Sequence, residues 1–284
     1  MARYIATDFT GVFTNVSKTT MLAQFEHLHS AKPGNPNYGH SALEDYCKVT
    51  SQYGMTAKSK SSDHALIEWF VTMGDKYGMT KKDMEDTIDN CFADRTLNNA
   101  VIDSLVTLAR EHDKKIIIVS KNPYDEVAYV AKKINDAAGY EVIAGAIGSE
   151  LIYDAYGRIT GVSKLISDKA KGSIDGIVLA QKSDEISRFA LDYDFISDEK
   201  DFDIARKATE MGNKAVLIRH LPDGEVRDPY FASSEDYQKS SLESGAYNTI
   251  ILNDENIAEN LVKELAEDSE SENTGTDVAY ATEA

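Results

Sequence analysis

Residues 4–9 form a short apolar run that carries Asp8 near its end, with Gly11 just beyond, and this predicts a buried strand. From residue 16 to about 97 the spacing becomes helical. Apolar residues recur as Met21, Leu22, Phe25 and Leu28, then Leu43, Tyr46 and Cys47, then Leu66, Ile67, Trp69, Phe70 and Met73. Pro- and Gly-bearing breaks fall at 32–36 and 77–80, and Thr80 followed by Asp83 predicts a helix cap. This stretch is expected to be an all-helical insert, with Trp69, Phe70 and Met73 as a stripe in its core or at its interface. Beyond it, strand and helix patterns alternate. Helices are predicted at 99–112, 124–138, 169–181, 203–211 and 254–265. Strands are predicted at 115–120 and 141–147, in a run through Phe195 and Ile196 into Asp198, and at 215–218 and 249–252. Residues 151–163 alternate and turn at 154–157, which predicts a β-hairpin. Alternating strands and helices predict an α/β fold with a parallel sheet. The expected organisation is a core of residues 1–15 and 98–265, a helical insert at 16–97, and a tail at 266–284.

Composition narrows the class. The chain has 284 residues, 42% of them hydrophobic and 27% charged, which is the balance of a globular protein. Acids outnumber bases 48 to 30, giving a formal net charge of −18. General affinity for nucleic-acid backbone or anionic membrane is therefore not expected. The tail contributes Glu267, Asp268, Glu270, Glu272, Asp277 and Glu283 with no base, and is predicted to be disordered. Two cysteines, Cys47 and Cys91, exclude a disulfide framework or a Cys-rich zinc site and suggest free thiols. The chain shows no secretory segment and no apolar run of membrane-spanning length, so a cytoplasmic protein is expected.

The chemistry-bearing residues sit at predicted strand ends, where open α/β sheets bind ligands. Asp8, Ser120 and Asp198 occupy such ends, and Lys171 opens a predicted helix. This set suits phosphoryl transfer. A carboxylate can attack phosphorus. A hydroxyl and an ammonium can hold the equatorial oxygens, and carboxylates can hold Mg²⁺.

The order resembles the haloacid dehalogenase superfamily. Asp8-Phe9-Thr10-Gly11-Val12 is similar to its first motif, Ile116 to Ser120 to its second, and residues 195–203 to its acidic motif. Leu151-Ile152 followed by residues 157–161, Ala170-Lys171-Gly172-Ser173, and the insert after the first strand resemble the phosphoserine-phosphatase-like branch. The resemblance implies a Rossmann-like core with a helical cap and Mg²⁺ as cofactor. It implies Asp8 as nucleophile and Ser120 as a phosphoryl hydrogen-bond donor. Lys121 and Asn122 depart from the small glycines of the branch and are candidate phosphate-binding residues, Lys121 either adding positive charge beside the phosphate or filling the pocket. The resemblance also implies Lys171 as the catalytic lysine, and Asp8, the carbonyl of Thr10, Asp198 and Asp203 as metal ligands or their support. Lys164 and Lys169 compete with Lys171, and Asp201 with Asp203.

Two departures set the expected activity. Thr10 stands where phosphatases of the family carry a second Asp, the acid that protonates the leaving group and the base that activates water. Ser17 stands where the branch has a substrate-binding Glu, and residues 4–94 contain no Arg, so phosphoserine is not expected as substrate. The sequence thus predicts a Mg²⁺-dependent phosphohydrolase or phosphotransferase acting on a small phosphorylated metabolite, with weak or specialised turnover. The alternatives are a non-catalytic binding or interaction protein of the same fold, and, less directly, carbon–phosphorus cleavage through an insert lysine.

Overall fold

The computed structural model describes residues 3–14, 61–93, 97–167, 171–198, 201–219, 250–253 and 257–266. The elements are β1 (Tyr4–Asp8), α1 (Ser61–Tyr77), α2 (Lys81–Ala93), α3 (Asn99–Glu111), β2 (Lys115–Pro123), α4 (Tyr124–Ala138), β3 (Ile143–Tyr153) and β4 (Ile159–Ser167). They continue as β5 (Gly172–Ile174), β6 (Ile177–Gln181), α5 (Lys182–Phe189), β7 (Tyr193–Asp198), α6 (Phe202–Glu210), β8 (Ala215–Arg219), β9 (Ile250–Asn253) and α7 (Ile257–Ala266). The nine strands form one sheet in the order β5-β6-β4-β3-β2-β1-β7-β8-β9. Along that order pairing is parallel from β3 through β9 and between β4 and β6, and antiparallel in the hairpins β3–β4 and β5–β6.

The parallel part is a three-layer sandwich, and strand alternation decides which side chain joins which layer. Ile5, Ile116, Ile118, Ile196, Val216 and Ile218 face α3, α4 and α7. Their neighbours Ala6, Ile117, Val119, Phe195 and Leu217 face α5 and α6. Ile116 to Val119 are all fully buried, each worth roughly 1.5–3 kcal/mol of transfer free energy. Strand order runs outward from β1 through β2 and β3 on one side, and through β7, β8 and β9 on the other. The reversal between β1 and β7 is the topological switch point where such sheets open a crevice.

The described part of the insert packs on the sheet rather than standing apart from it. α1 lies on β4, with Trp69, Phe70, Met73, Tyr77 and Met79 forming one core with Ile159, Val162, Leu165 and Leu179. Thr80 and Asp83 make the predicted capping box, the Asp83 carboxylate accepting from the Thr80 amide at 2.9 Å and the Thr80 hydroxyl accepting from the Asp83 amide at 3.2 Å. Lys81 at the start of α2 pairs with Asp125 of α4 at 2.6 Å, and the Tyr153 hydroxyl donates to the same carboxylate at 2.5 Å. Burial and that carboxylate together push the Tyr153 phenol far above its ordinary range.

One predicted element is of the wrong kind. Residues 169–181 are not a helix; their described part is the hairpin β5–β6, and the helix begins only at Lys182. Cys91 is a buried free thiol. Cys47 with the rest of residues 16–60, residues 221–245 and residues 267–284 of the acidic tail lie outside the described residues. Among the described residues no helix is long and apolar enough to cross a membrane.

Candidate active site

Four buried side chains meet at the switch point. Asp8 ends β1 and is 6% exposed. Its Oδ1 accepts the amide of Phe9 at 2.7 Å, and its Oδ2 accepts from Lys182 Nζ at 2.8 Å. Lys182 is also fully enclosed and donates at 2.8 Å to Asp201 Oδ2. Ser197 Oγ lies 2.7 Å from Asp201 Oδ2 and 3.4 Å from Asp8 Oδ2. One ammonium and one hydroxyl thus hold two carboxylates, leaving the cluster formally one negative charge in excess. Leaving such a carboxylate buried without its cation would cost several kcal/mol, so the shared lysine fixes the orientation of both.

Each residue arrives there for a local reason. Thr7 pairs with Ile196, so Asp8 and Ser197 are the next residues of the adjacent strands β1 and β7. Asp201 is the N-cap residue of α6, yet its side chain makes no cap hydrogen bond. Its backbone carbonyl takes the amides of Ile204 and Ala205 instead, which frees the carboxylate for Lys182 and Ser197. Lys182 is the first residue of α5, directly after β6. β6 stands four strands from β1 in the order, yet the lysine that follows it reaches Asp8. α5 then crosses β2 and β3, laying the Phe189 ring against Gly145, where a Cβ would come within 2.8 Å of the ring.

Ser120 sits on β2 one residue past Val119, the register partner of Asp8. It is buried, and its Oγ accepts the Asn122 amide at 3.1 Å. Asn122 is buried too, and its Nδ2 donates to Glu126 Oε1 at 3.1 Å. Lys121 is half-buried between them. Thr10 lies half-buried two residues after Asp8, before the turn that Gly11 makes at φ 82°.

Two of the expected site residues are elsewhere. Lys171 is not in the cluster: it is largely exposed and pairs with Asp184 at 2.6 Å. The flanking segment forms β5 and the lysine precedes it, so Lys171 stands at the far edge of the sheet. Asp203 points to solvent from the first turn of α6 and faces Arg206 at 3.5 Å; helical geometry puts it on the side opposite Asp201. Lys182 is the residue that sequence reasoning missed. Its signal was present as an apolar strand, Ile177 to Ala180, running into Lys182 with acids at 184 and 185 to open a helix.

Mg²⁺ takes oxygen ligands and is commonly held by one or two carboxylates, completed by water and phosphate. Asp8 offers such a donor, and Asp198 ends β7 one residue beyond Ser197. Among the described residues no three His, Cys, Asp or Glu side chains converge as a metal cage. The donor chemistry of Asp8 fits an ion completed by substrate and water.

No family model matches the chain, and no curated protein matches it. Solved structures do resemble it. Cytosolic 5′-nucleotidase IIIB, bound to cytidine, superposes with a TM-score of 0.49 at 12% identity, covering 93% of this chain and 86% of that one. A phosphoserine phosphohydrolase-like protein from Francisella tularensis gives 0.45 at 13% identity, covering 77% and 88%. A haloacid dehalogenase-like family hydrolase from Streptococcus pneumoniae gives 0.39 at 14% identity, covering 88% and 93%.

Proposed function

We propose that this chain is a phosphoryl-transfer enzyme that takes the phosphate of a small phosphorylated metabolite onto Asp8. The observation that carries the proposal is Lys182, whose buried ammonium binds both Asp8 and Asp201 at 2.8 Å at the switch point of the sheet. A carboxylate held through both oxygens, with a fixed cation beside it, is preorganised for attack on phosphorus. In the first step an Asp8 oxygen forms a bond to phosphorus as the bond to the leaving oxygen breaks. Lys182 neutralises charge gathering between the carboxylate and the phosphoryl oxygens, and Ser120 donates a hydrogen bond to one of them. In the second step water attacks the same phosphorus as its bond to the Asp8 oxygen breaks; the water's proton passes to a phosphoryl oxygen, inorganic phosphate leaves, and the Asp8 carboxylate is restored. Asp8, Asp198 and the carbonyl of Thr10 are the groups that would hold Mg²⁺, which when bound would shield the charge of the phosphate.

Thr10 fixes the range of substrates. A threonine hydroxyl is too weak an acid to protonate an alkoxide, so esters and anhydrides whose leaving group departs as a stable anion react fastest. The test is hydrolysis of p-nitrophenyl phosphate and acetyl phosphate, with Mg²⁺ and with EDTA. Turnover is expected with Mg²⁺, lost in Asp8→Asn, and lowered about 100-fold or more in Lys182→Met. Lys171→Met is expected to be as active as the native chain. Activity that survives Asp8→Asn would overturn the proposal. Thr10→Asp, by restoring a general acid, should raise hydrolysis of alkyl phosphates by roughly 10²–10⁴-fold.

Thr10 also supports a second reading, in which the chain retains the site as a binding or interaction module. Then neither substrate turns over, and Thr10→Asp changes nothing.

A further inference from the structure

Between Val119 and Pro123, β2 carries three residues where β3 carries one. Val119 pairs with Ile147 and Pro123 with Ser149, so Ser120, Lys121 and Asn122 bulge opposite Gly148. The bulge is tightly built. A Cβ on Gly148 would fall 2.5 Å from Tyr124 Cα and 2.9 Å from the Asn122 carbonyl oxygen, so only glycine permits the approach. Ser149 Oγ donates to the Lys121 carbonyl at 2.6 Å and accepts the Ile166 amide at 3.1 Å. Within the bulge, the Asn122 amide donates to Ser120 Oγ. The hydroxyl therefore has a lone pair occupied, and its proton can be donated elsewhere. Outside it, the Asn122 side chain is held by Glu126, a carboxylate 1% exposed in the first turn of α4.

Glu126 lies in the first turn of α4, where the helix start favours a negative charge, and from there its carboxylate fixes the Asn122 side chain. The bulge it fixes lies immediately beyond the β1–β2 rung that carries Asp8. We infer that Glu126 is a positioning residue for phosphoryl transfer. By holding Asn122 it sets the 120–122 bulge, and so aims the Ser120 hydroxyl at the phosphoryl group beside Asp8. This rests on the phosphoryl-transfer reading above and assigns the support of its hydrogen-bond donor.

The experiment compares Glu126→Ala, Glu126→Gln and Asn122→Ala with the native chain in p-nitrophenyl phosphate turnover, inhibition by orthovanadate, and thermal unfolding. Glu126→Ala is expected to lower kcat about 10–100-fold, the scale of a misplaced catalytic group, with a smaller change in KM. It should weaken orthovanadate inhibition as well. Glu126→Gln keeps an acceptor oxygen for Asn122 and should return kcat to within about threefold of native. Asn122→Ala should repeat the loss of kcat with Glu126 intact, and it decides the matter if Glu126→Ala does not fold. Native kcat in Glu126→Ala or Asn122→Ala, beside turnover that Asp8→Asn abolishes, overturns the positioning role and leaves the phosphoryl-transfer reading standing. A loss in Glu126→Gln equal to that in Glu126→Ala also overturns it. A native chain that neither turns over the substrate nor binds orthovanadate overturns both.

Discussion

Tyr193 opens β7 with a fully buried ring and a hydroxyl that has no hydrogen-bond partner among the described residues. Burial alone pushes its phenol up to about 12. Because the folded value lies above the unfolded value of ~10, the folded state binds the proton more tightly. The stability this represents is intact below pH ~10 and lost as the pH rises through about 12. Tyr193→Phe should therefore leave the melting temperature at pH 7 unchanged or slightly raised, since an unpaired buried hydroxyl costs about 1–3 kcal/mol when desolvated. At pH 11 the variant should outlast the native chain. Melts of the two proteins at both pH values check this, and a clear loss of stability at pH 7 would mean that the hydroxyl has a partner. At the same scale the site was only half legible. Asp8 and Ser120 follow their strands in sequence, so an apolar run was enough to place them. Lys182 and Asp201 depend on what the neighbouring backbone does. Asp201 is in the cluster, and Asp203 outside it, because the helix starts at 202 and turns them to different sides. Lys182 is in the cluster because a strand, not a helix, precedes it.

The element that explains this miss is the hairpin β5–β6. Asp175 and Gly176 both adopt positive φ, 48° and 85°, the backbone of a tight primed turn, and Asp-Gly between apolar residues is its usual sequence. The turn signal is present in Ile174-Asp175-Gly176-Ile177, inside the segment for which a helix is predicted. Among the described residues periodicity was the better guide; α4 spans the predicted 124–138. What periodicity does not carry is what an amphipathic helix packs against. The Trp69, Phe70 and Met73 stripe predicts a buried face for α1, and its partner is β4 of the core sheet. That contact depends on Gly74. A Cβ there would lie 1.8 Å from the Ile159 carbonyl oxygen and 2.6 Å from its carbon, so helix and strand backbones touch. Gly74→Ala must push them apart, at a cost of about 1–3 kcal/mol by the usual penalty for overpacking. Urea unfolding should show a lower midpoint. A midpoint equal to native would mean that α1 yields without cost and is not firmly seated on the hairpin.

At the scale of the molecule, the sheet buries charge at both ends, and the two ends are built differently. At the amino end Lys114 bonds Asp194 at 2.6 Å, and the Lys214 amide completes the carboxylate at 3.0 Å, one cation to one anion with every oxygen satisfied. At the carboxyl end Asp8 and Asp201 share the single ammonium of Lys182. The first arrangement pairs its charges one to one. The second holds two like charges together, the local cost that the proposed phosphoryl transfer would call for. The two ends should therefore answer in opposite senses. Lys114→Met leaves a buried carboxylate unpaired and should cost about 3–5 kcal/mol while the folded fraction keeps its turnover. Asp8→Asn removes the excess charge and leaves Lys182 paired with Asp201, so stability should hold or rise while turnover disappears. Parallel urea titrations and p-nitrophenyl phosphate assays separate the cases. If Asp8→Asn proves markedly less stable than native, Asp8 belongs with Asp194 as a structural charge, and the case for a carboxylate poised for attack weakens with it.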